Sequence, residues 1–325
     1  MRTPVALFCF MLLSSFSRTF EHAVESPASC EWTCGKGDIP LFDELIVSWN
    51  GFRPQEGKWM FWIRLCQEEE WSPWLKYAEW RAASQKTFQD APEGSFAKTY
   101  QDAASPKQGF CNGYQIKVVA EEGADLRELH ALFACASNSK EQPEKPPVEN
   151  LPFAMLPDLF RQSQMVLDHP RHKDLCSPTS TSIALNTLLK EGKILPLPFA
   201  KKAHDDEWDI YGNWILNTAQ AYQEANGKFC CHVRRLNHFG ELHQYLLDKL
   251  PVVVSIRGPI PGSAQFYKSG HLICIVGYDP QEQKVHCIDP AFPDNSATYM
   301  SYPLADFLTA WERRGNIAYV FPRKG

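Results

Sequence analysis

Three residue types that together carry out acyl chemistry lie in the second half of the 325-residue chain: Cys176, His271 and Asp289. Cys176 opens the run Cys176-Ser177-Pro178-Thr179-Ser180, where a helix should begin. Ser177 or Cys176 can cap it, Pro178 suits its first turn, and a helical apolar pattern follows. A thiol at a helix start feels the positive end of the macrodipole and the unpaired amide hydrogens there, and both favour a thiolate. His271 heads the apolar run 271–276, and Asp289 ends the run 284–289 after a turn at 279–283. An antiparallel return brings the entry of one strand beside the exit of the next, so His271 and Asp289 can share one rim of a sheet. Pro290 ends the ladder and restricts where Asp289 points. In such a set His271 takes the thiol proton and Asp289 holds its ring. Gln164, upstream, can aim amide hydrogens at a developing oxyanion, with the Cys176 backbone amide as second donor. Singly, these are a core cysteine, a structural histidine and a turn aspartate. The order Gln, Cys, His, Asp, helix first and sheet afterwards, is what joins them.

The elements that must position these residues occupy residues 151–325. In the Cys176 helix Ser180, Ile183, Ala184, Thr187 and Leu188 fall on one face, and Glu191-Gly192-Lys193 stops it. Residues 214–224 form a second helix, and Phe239, Leu242, Leu246 and Leu250 mark a third. Residues 251–256 read as a fully buried strand. A helix carrying Leu304, Phe307, Leu308 and Trp311 and a strand at 316–321 close the chain. Before this unit lies a polar, proline-rich linker at 138–150. Before the linker, residues 40–137 alternate as short strands with turn signals between them, the pattern of an antiparallel β-sandwich. No helical pattern is evident there before residues 125–134. Seven of the ten Trp lie in this front part: Trp32, Trp49, Trp59, Trp62, Trp71, Trp74 and Trp80. Strand alternation puts most of them in a core. An exposed row of them would instead stack on sugar rings, giving a carbohydrate or cell-wall contact.

Residues 1–17 look like a targeting segment: Arg2, then the apolar run 5–13, then Ser15-Phe16-Ser17 with small residues where a signal peptidase reads. The run is too short for a permanent anchor and no later stretch is apolar enough for one, so a secreted or periplasmic protein without an integral membrane segment is expected. A net charge of -5 argues against nucleic acid as partner. Ten cysteines follow residue 17, and an exported chain allows some to pair, with Cys30 and Cys34 near enough in sequence for a local bridge. Paired C-x-x-C sets are absent, which leaves no zinc pattern, and no cofactor motif is present. His169 and His172 sit on a polar insertion at 168–174, Cys274 and Cys287 lie inside apolar strands, and His286 alternates away from Asp289. None of these competes with Cys176.

Residues 151–325 resemble papain-like cysteine peptidases related to the bacteriocin leader-processing (double-glycine) peptidases. The matching motifs are Ser163-Gln164, Cys176-Ser177-Pro178-Thr179-Ser180, Gly270-His271-Leu272 and Ile288-Asp289-Pro290-Ala291. The front part, with Leu45-Ile46-Val47-Ser48-Trp49 and Trp71-Ser72-Pro73-Trp74, resembles the β-domain that precedes such peptidases in some exported bacterial proteins. The resemblance implies an α+β papain-like domain behind an all-β domain. It also implies a thiol protease hydrolysing a peptide or protein substrate, with Cys176, His271 and Asp289 catalytic and Gln164 at the oxyanion hole. Two departures stand out. The gap from Gln164 to Cys176 is lengthened by the 168–174 insertion, so Gln162 is an alternative oxyanion donor. Leader peptidases are also fused to an ABC transporter membrane domain that nothing here resembles, so a bacteriocin leader is not the expected substrate. The same triad would serve an acyl transferase or a cell-wall peptide hydrolase, and a retired peptidase scaffold would serve as a binding protein.

Overall fold

The computed structural model describes residues 16–25, 30–141, 148 and 150–324. The front part is built of two antiparallel sheets. One runs in the order Ser17–Ala23, Leu129–Ser137, Glu44–Gly51, Ala103–Pro106, Ala97–Tyr100. The other runs Glu31–Lys36, Gly113–Glu121, Lys58–Gln67, Leu75–Arg81, Gln85–Thr87, with Glu70–Trp71 paired beside Lys58–Gln67. Large aromatics fill the space between them. Trp49, Trp59 and Trp80 are fully buried. Trp49 stacks on Phe61 at 4.2 Å and meets Trp80 edge-on at 5.5 Å, the offset and T-shaped geometries that ring quadrupoles favour. The Tyr77 hydroxyl crosses from one sheet to the other, accepting from the amide of Val47 and donating to the carbonyl of Asp102. Trp62, Trp71 and Trp74 are half-buried, and cations cover their rings: Arg64 lies 5.0 Å from the Trp71 centroid and 4.7 Å from that of Trp74, which Lys117 also faces at 4.7 Å. Those faces are occupied by cation–π contacts rather than open for a sugar.

Three expectations need correction. Residues 125–134 do not form a helix: Leu129–Ser137 is a strand paired on both sides, by Ser17–Ala23 and Glu44–Gly51. A strand buried on both faces loses its alternation, so its apolar run matched the helical period equally well. The sheets also begin earlier than residue 40, since Ser17–Ala23 and Glu31–Lys36 belong to them. Cys30 and Cys34 are free thiols. Cys34 lies in an extended strand, where four residues span about 13 Å, roughly twice the Cα separation a disulfide tolerates. Of the targeting segment, only Phe16 and Ser17 fall within the described residues, and both are buried. Most of the linker lies outside them.

The rest of the chain mixes helices with a seven-stranded antiparallel sheet. Its order is His232–Arg235, Ile317–Val320, Val252–Gly258, Tyr267–Asp279, Lys284–Ile288, Tyr299–Pro303, with Ala154–Met155 beside Tyr267–Asp279. Five α-helices accompany it among the described residues: α1 (Cys176–Leu189), α2 (Pro196–Ala203), α3 (Trp214–Glu224), α4 (Phe239–Leu247) and α5 (Leu304–Glu312). Val252 through Ile256 and His271 through Tyr278 are buried at every position, as in a sheet covered on both faces. α1, α4 and α5 all pack against it. α1 is buried from Ser177 to Thr187 all round, and its Ser and Thr side chains allow close approach to the strands.

The two parts share one continuous core. The buried side chains Ser48 and Asn50 pair with the backbone of Val233 and Cys231 across the boundary. Arg53, stacked 3.6 Å over Trp80, donates to the carbonyls of Arg81 and Lys202 and to Gln85 and Gln220. Such satisfied buried polar contacts fix the relative placement of the sheets and helices.

Candidate active site

Cys176 is the first residue of α1, and Leu175 rather than Cys176 or Ser177 occupies the cap position, with no side-chain cap bond. A one-turn 3-10 helix at His172–Asp174 feeds into the buried Leu175, so the chain is already turning before the expected cap. Pro178 stands in the first turn as expected. α1 is tied to the sheet beside the site by the Ser180 hydroxyl, which donates to the Leu272 carbonyl at 2.9 Å, and by Ser177 Oγ at 2.9 Å from the Tyr319 hydroxyl.

His271 and Asp289 meet as the hairpin arithmetic requires. Cys274 lies opposite Ile288, so Asp289 emerges just past the ladder toward His271. His271 Nε2 is 2.8 Å from Asp289 Oδ1, which leaves Nδ1 for the thiol of Cys176, the group with which the ring is electrostatically coupled. Tyr267 stacks on the imidazole at 4.1 Å, with 16° between the ring planes. Asp289 is fully buried and accepts three further bonds, from the hydroxyls of Tyr267 (2.6 Å) and Tyr302 (2.7 Å) on Oδ2 and from the amide of Ala291 (3.0 Å) on Oδ1. Four donors on one carboxylate leave it no freedom to turn.

The charges follow. Burial alone would push the Cys176 thiol up. The hydrogen bond and charge of His271, with the Leu272 and Ser177 amides, outweigh it and hold the thiol below its ordinary value. Burial would likewise lower His271, but the carboxylate of Asp289 and the sulfur of Cys176 raise it to about 10. Burial opposes ionisation of Asp289 too; the imidazolium, the Tyr267 hydroxyl and the Ala291 amide keep it below the ordinary carboxylate value. Both shifts run in the direction that favours a thiolate beside an imidazolium. Other cysteines contrast with this: burial pushes Cys111 up to about 12, and Cys274 and Cys287 also rise.

Gln164 is not where an oxyanion donor was expected. It is buried, and its Nε2 donates to the carbonyls of His172 (3.1 Å) and Lys173 (2.8 Å), while Oε1 has no partner among the described residues. Its backbone amide donates to Pro290, so it braces the segment before Cys176 against the residue after Asp289. Gln162 turns away to Ser163 and Asn295. The insertion that separates Gln164 from Cys176 supplies the very carbonyls that use its amide hydrogens. His286 pairs with the Tyr299 hydroxyl, and His169 packs edge-on to Tyr211. Among the described residues no three His, Cys, Asp or Glu side chains converge as metal ligands. Nor is any helix there long and apolar enough to cross a membrane.

Cys176 opens on a cleft of about 780 Å³ whose walls come from both parts of the chain. One wall carries Tyr267 to Gly270 and Arg314; the other carries residues 100–103, the turn between two front-part strands. Asp102, from that turn, accepts from the amide of Trp214 at 2.7 Å and so caps the start of α3. Tyr267, Tyr302, Asp102 and Arg314 were missed by sequence reasoning. Only Tyr267 left a signal, four residues before His271 on the same face of one strand; the others arrive through long-range packing.

Residues 158–319 match the model of the Peptidase_C39 like family. A solved structure of xylellain, a cysteine protease from Xylella fastidiosa, aligns over 58% of this chain and 94% of that one, at 13% identity and a TM-score of 0.34. No curated protein matches the sequence.

Proposed function

From its place in the Peptidase_C39 like family, to which the chain belongs as a cysteine peptidase, we propose that Cys176, His271 and Asp289 form the catalytic triad. The enzyme is then an exported thiol hydrolase of peptide bonds. The thiolate attacks the carbonyl carbon, and the carbonyl π electrons move onto oxygen. Collapse expels the amine, which takes its proton from His271, and leaves a thioester on Cys176. His271 then takes a proton from water, whose oxygen attacks the thioester; collapse releases the carboxylic acid and restores thiolate and imidazolium. Asp289 holds the ring and its charge. The Cys176 backbone amide, at the helix start, faces the oxyanion as first donor. Gln164 joins it only by releasing the carbonyl of His172 or Lys173.

The observation that carries this reading is one imidazole bonded to a buried carboxylate and electrostatically coupled to a thiol at a helix N-terminus. The front sheets form the all-β domain of the same reading, residues 138–150 its linker and 151–325 its papain-like unit; residues 1–17 direct export to the periplasm or medium. The test is Cys176→Ala against wild type on denatured protein substrates, with mass spectrometry for a trapped acyl-enzyme. Turnover is expected to disappear while the thermal midpoint stays within a few degrees. Hydrolysis that survives in Cys176→Ala refutes the assignment.

A further inference from the structure

The cleft beside Cys176 holds more charge than the triad uses, and the balance of that charge is uneven. Its acids are already engaged. Glu44 accepts from Arg235 at 2.6 Å, Asp174 from Arg171 at 2.9 Å, and Asp102 from the amide at the start of α3. Its cations divide differently. Arg171 is paired, but Lys173, Lys268 and Arg314 have no ion-pair partner among the described residues. Lys173 and Lys268 are exposed and solvated. Arg314 is not: it is half-buried, its guanidinium 5.2 Å from the Trp214 ring centroid, and Arg235 and Arg257 repel it.

The Arg314 side chain is held by one bond, Nε to the Ser255 hydroxyl at 3.2 Å. The two terminal nitrogens make no hydrogen bond among the described residues, and the side chain lines the cleft. The guanidinium lies against Gly270, where a Cβ would meet Nε at 3.6 Å and Cζ at 3.7 Å. Gly270 directly precedes His271, so the guanidinium sits beside the catalytic strand at its entry. A half-buried guanidinium with one neutral hydrogen bond and no carboxylate at ion-pair distance is only partly compensated for the hydration it loses, an arrangement that proteins otherwise avoid by pairing the charge. Its planar donors match a carboxylate two bonds at a time. Asp102 attracts it, but burial pushes that acid up to about 7 and its Oδ1 is spent on α3.

We propose that Arg314, flanked by Lys268, is a specificity residue that binds a carboxylate of the peptide substrate beside the scissile bond. This rests on Cys176 being the nucleophile. The carboxylate is either an Asp or Glu side chain or the substrate's own C-terminus.

The test needs no known substrate. Alkylation of Cys176 is followed by mass spectrometry with iodoacetate, which carries a carboxylate, and with neutral iodoacetamide, in wild type, Arg314→Gln and Arg314→Lys. The expected result is a drop of about tenfold in the iodoacetate-to-iodoacetamide rate ratio in Arg314→Gln, with partial retention in Arg314→Lys and an unchanged iodoacetamide rate in both. His271 contributes equally in all three proteins, so the change in ratio isolates Arg314. An unchanged ratio with normal iodoacetamide labelling overturns the carboxylate site and leaves the nucleophile standing. A Cys176 that reacts selectively with neither reagent overturns both. Quenched peptides differing only in Glu against Gln, or in a free against an amidated C-terminus, then identify the source. A wild type indifferent to both changes overturns the proposal.

Discussion

Asp289→Asn tests the electrostatic core of the site without disturbing its shape. An asparagine keeps an oxygen where Oδ1 accepts from His271 and Ala291, and turns its NH2 toward the hydroxyls of Tyr267 and Tyr302. Each hydroxyl can rotate to accept, so the hydrogen-bond count survives and only the charge is lost. A hydrogen bond to a charged partner contributes about 1.5–3 kcal/mol, against about 1 kcal/mol for a neutral one. The imidazolium therefore loses about 0.5–2 kcal/mol, and at 1.36 kcal/mol per unit its pKa falls by about one from its value of about 10. The direction in pH follows from linkage. Because folding raises the pKa of His271, its stabilising contribution is complete below the unfolded value, about 6.5, and disappears as pH climbs through about 10. In Asp289→Asn it disappears about one unit earlier. The assay is the NMR titration of the His271 ring, assigned by the signal that vanishes in His271→Gln, together with the alkaline limb of kcat/KM. Both midpoints should move down together. A ring that titrates at the same pH in Asp289→Asn would show that the carboxylate does not hold the proton, and the argument would fail.

Two further substitutions probe the scaffold. Gly270 has φ +103°, outside the range of residues with a Cβ, so Gly270→Ala should lower stability by about 1–3 kcal/mol by urea titration and reduce activity through displacement of His271. Arg53→Met should cost about 1–3 kcal/mol, because it leaves the half-buried carbonyl of Arg81 and the Gln85 side chain without their donor where the two parts of the chain meet. A loss below about 0.5 kcal/mol in the second case would mean that water replaces the guanidinium.

The geometry of the candidate site was legible where it is local. The Cys-Ser-Pro-Thr-Ser run carries its own helix start, and the turn at 279–283 fixes the register that sends Asp289 toward His271. The strand alternation that assigned most tryptophans to a core held for Trp49, Trp59 and Trp80. What failed depended on partners distant in sequence. Gln164 has the residue type for an oxyanion donor, but the 168–174 insertion folds back and takes both amide hydrogens, which no spacing rule anticipates. Tyr302 reaches Asp289 from an adjoining strand, and residues 129–134 of the expected helix became a strand because two neighbours claimed both its edges. Propensity yields to tertiary pairing in such places.

The cleft itself explains why the front sheets matter to chemistry 70 residues and more downstream. α3 packs against Glu44–Gly51 of the front part as well as against α1, whose first residue is Cys176. Asp102 caps α3 from the front part, and Thr87 Oγ1 donates to the buried carboxylate of Asp205 just before it. Asp205 in turn takes a bond from Asn213, whose own side chain accepts from Leu216 as the N-cap of α3. The front sheets therefore fix both ends of that loop and, through α3, the wall opposite His271. A module joined by a flexible tether would have a polar, separable boundary. Here the boundary is a continuous apolar core pinned by buried hydrogen bonds, so the width of the cleft, and with it the peptide it admits, is set jointly by both parts of the chain.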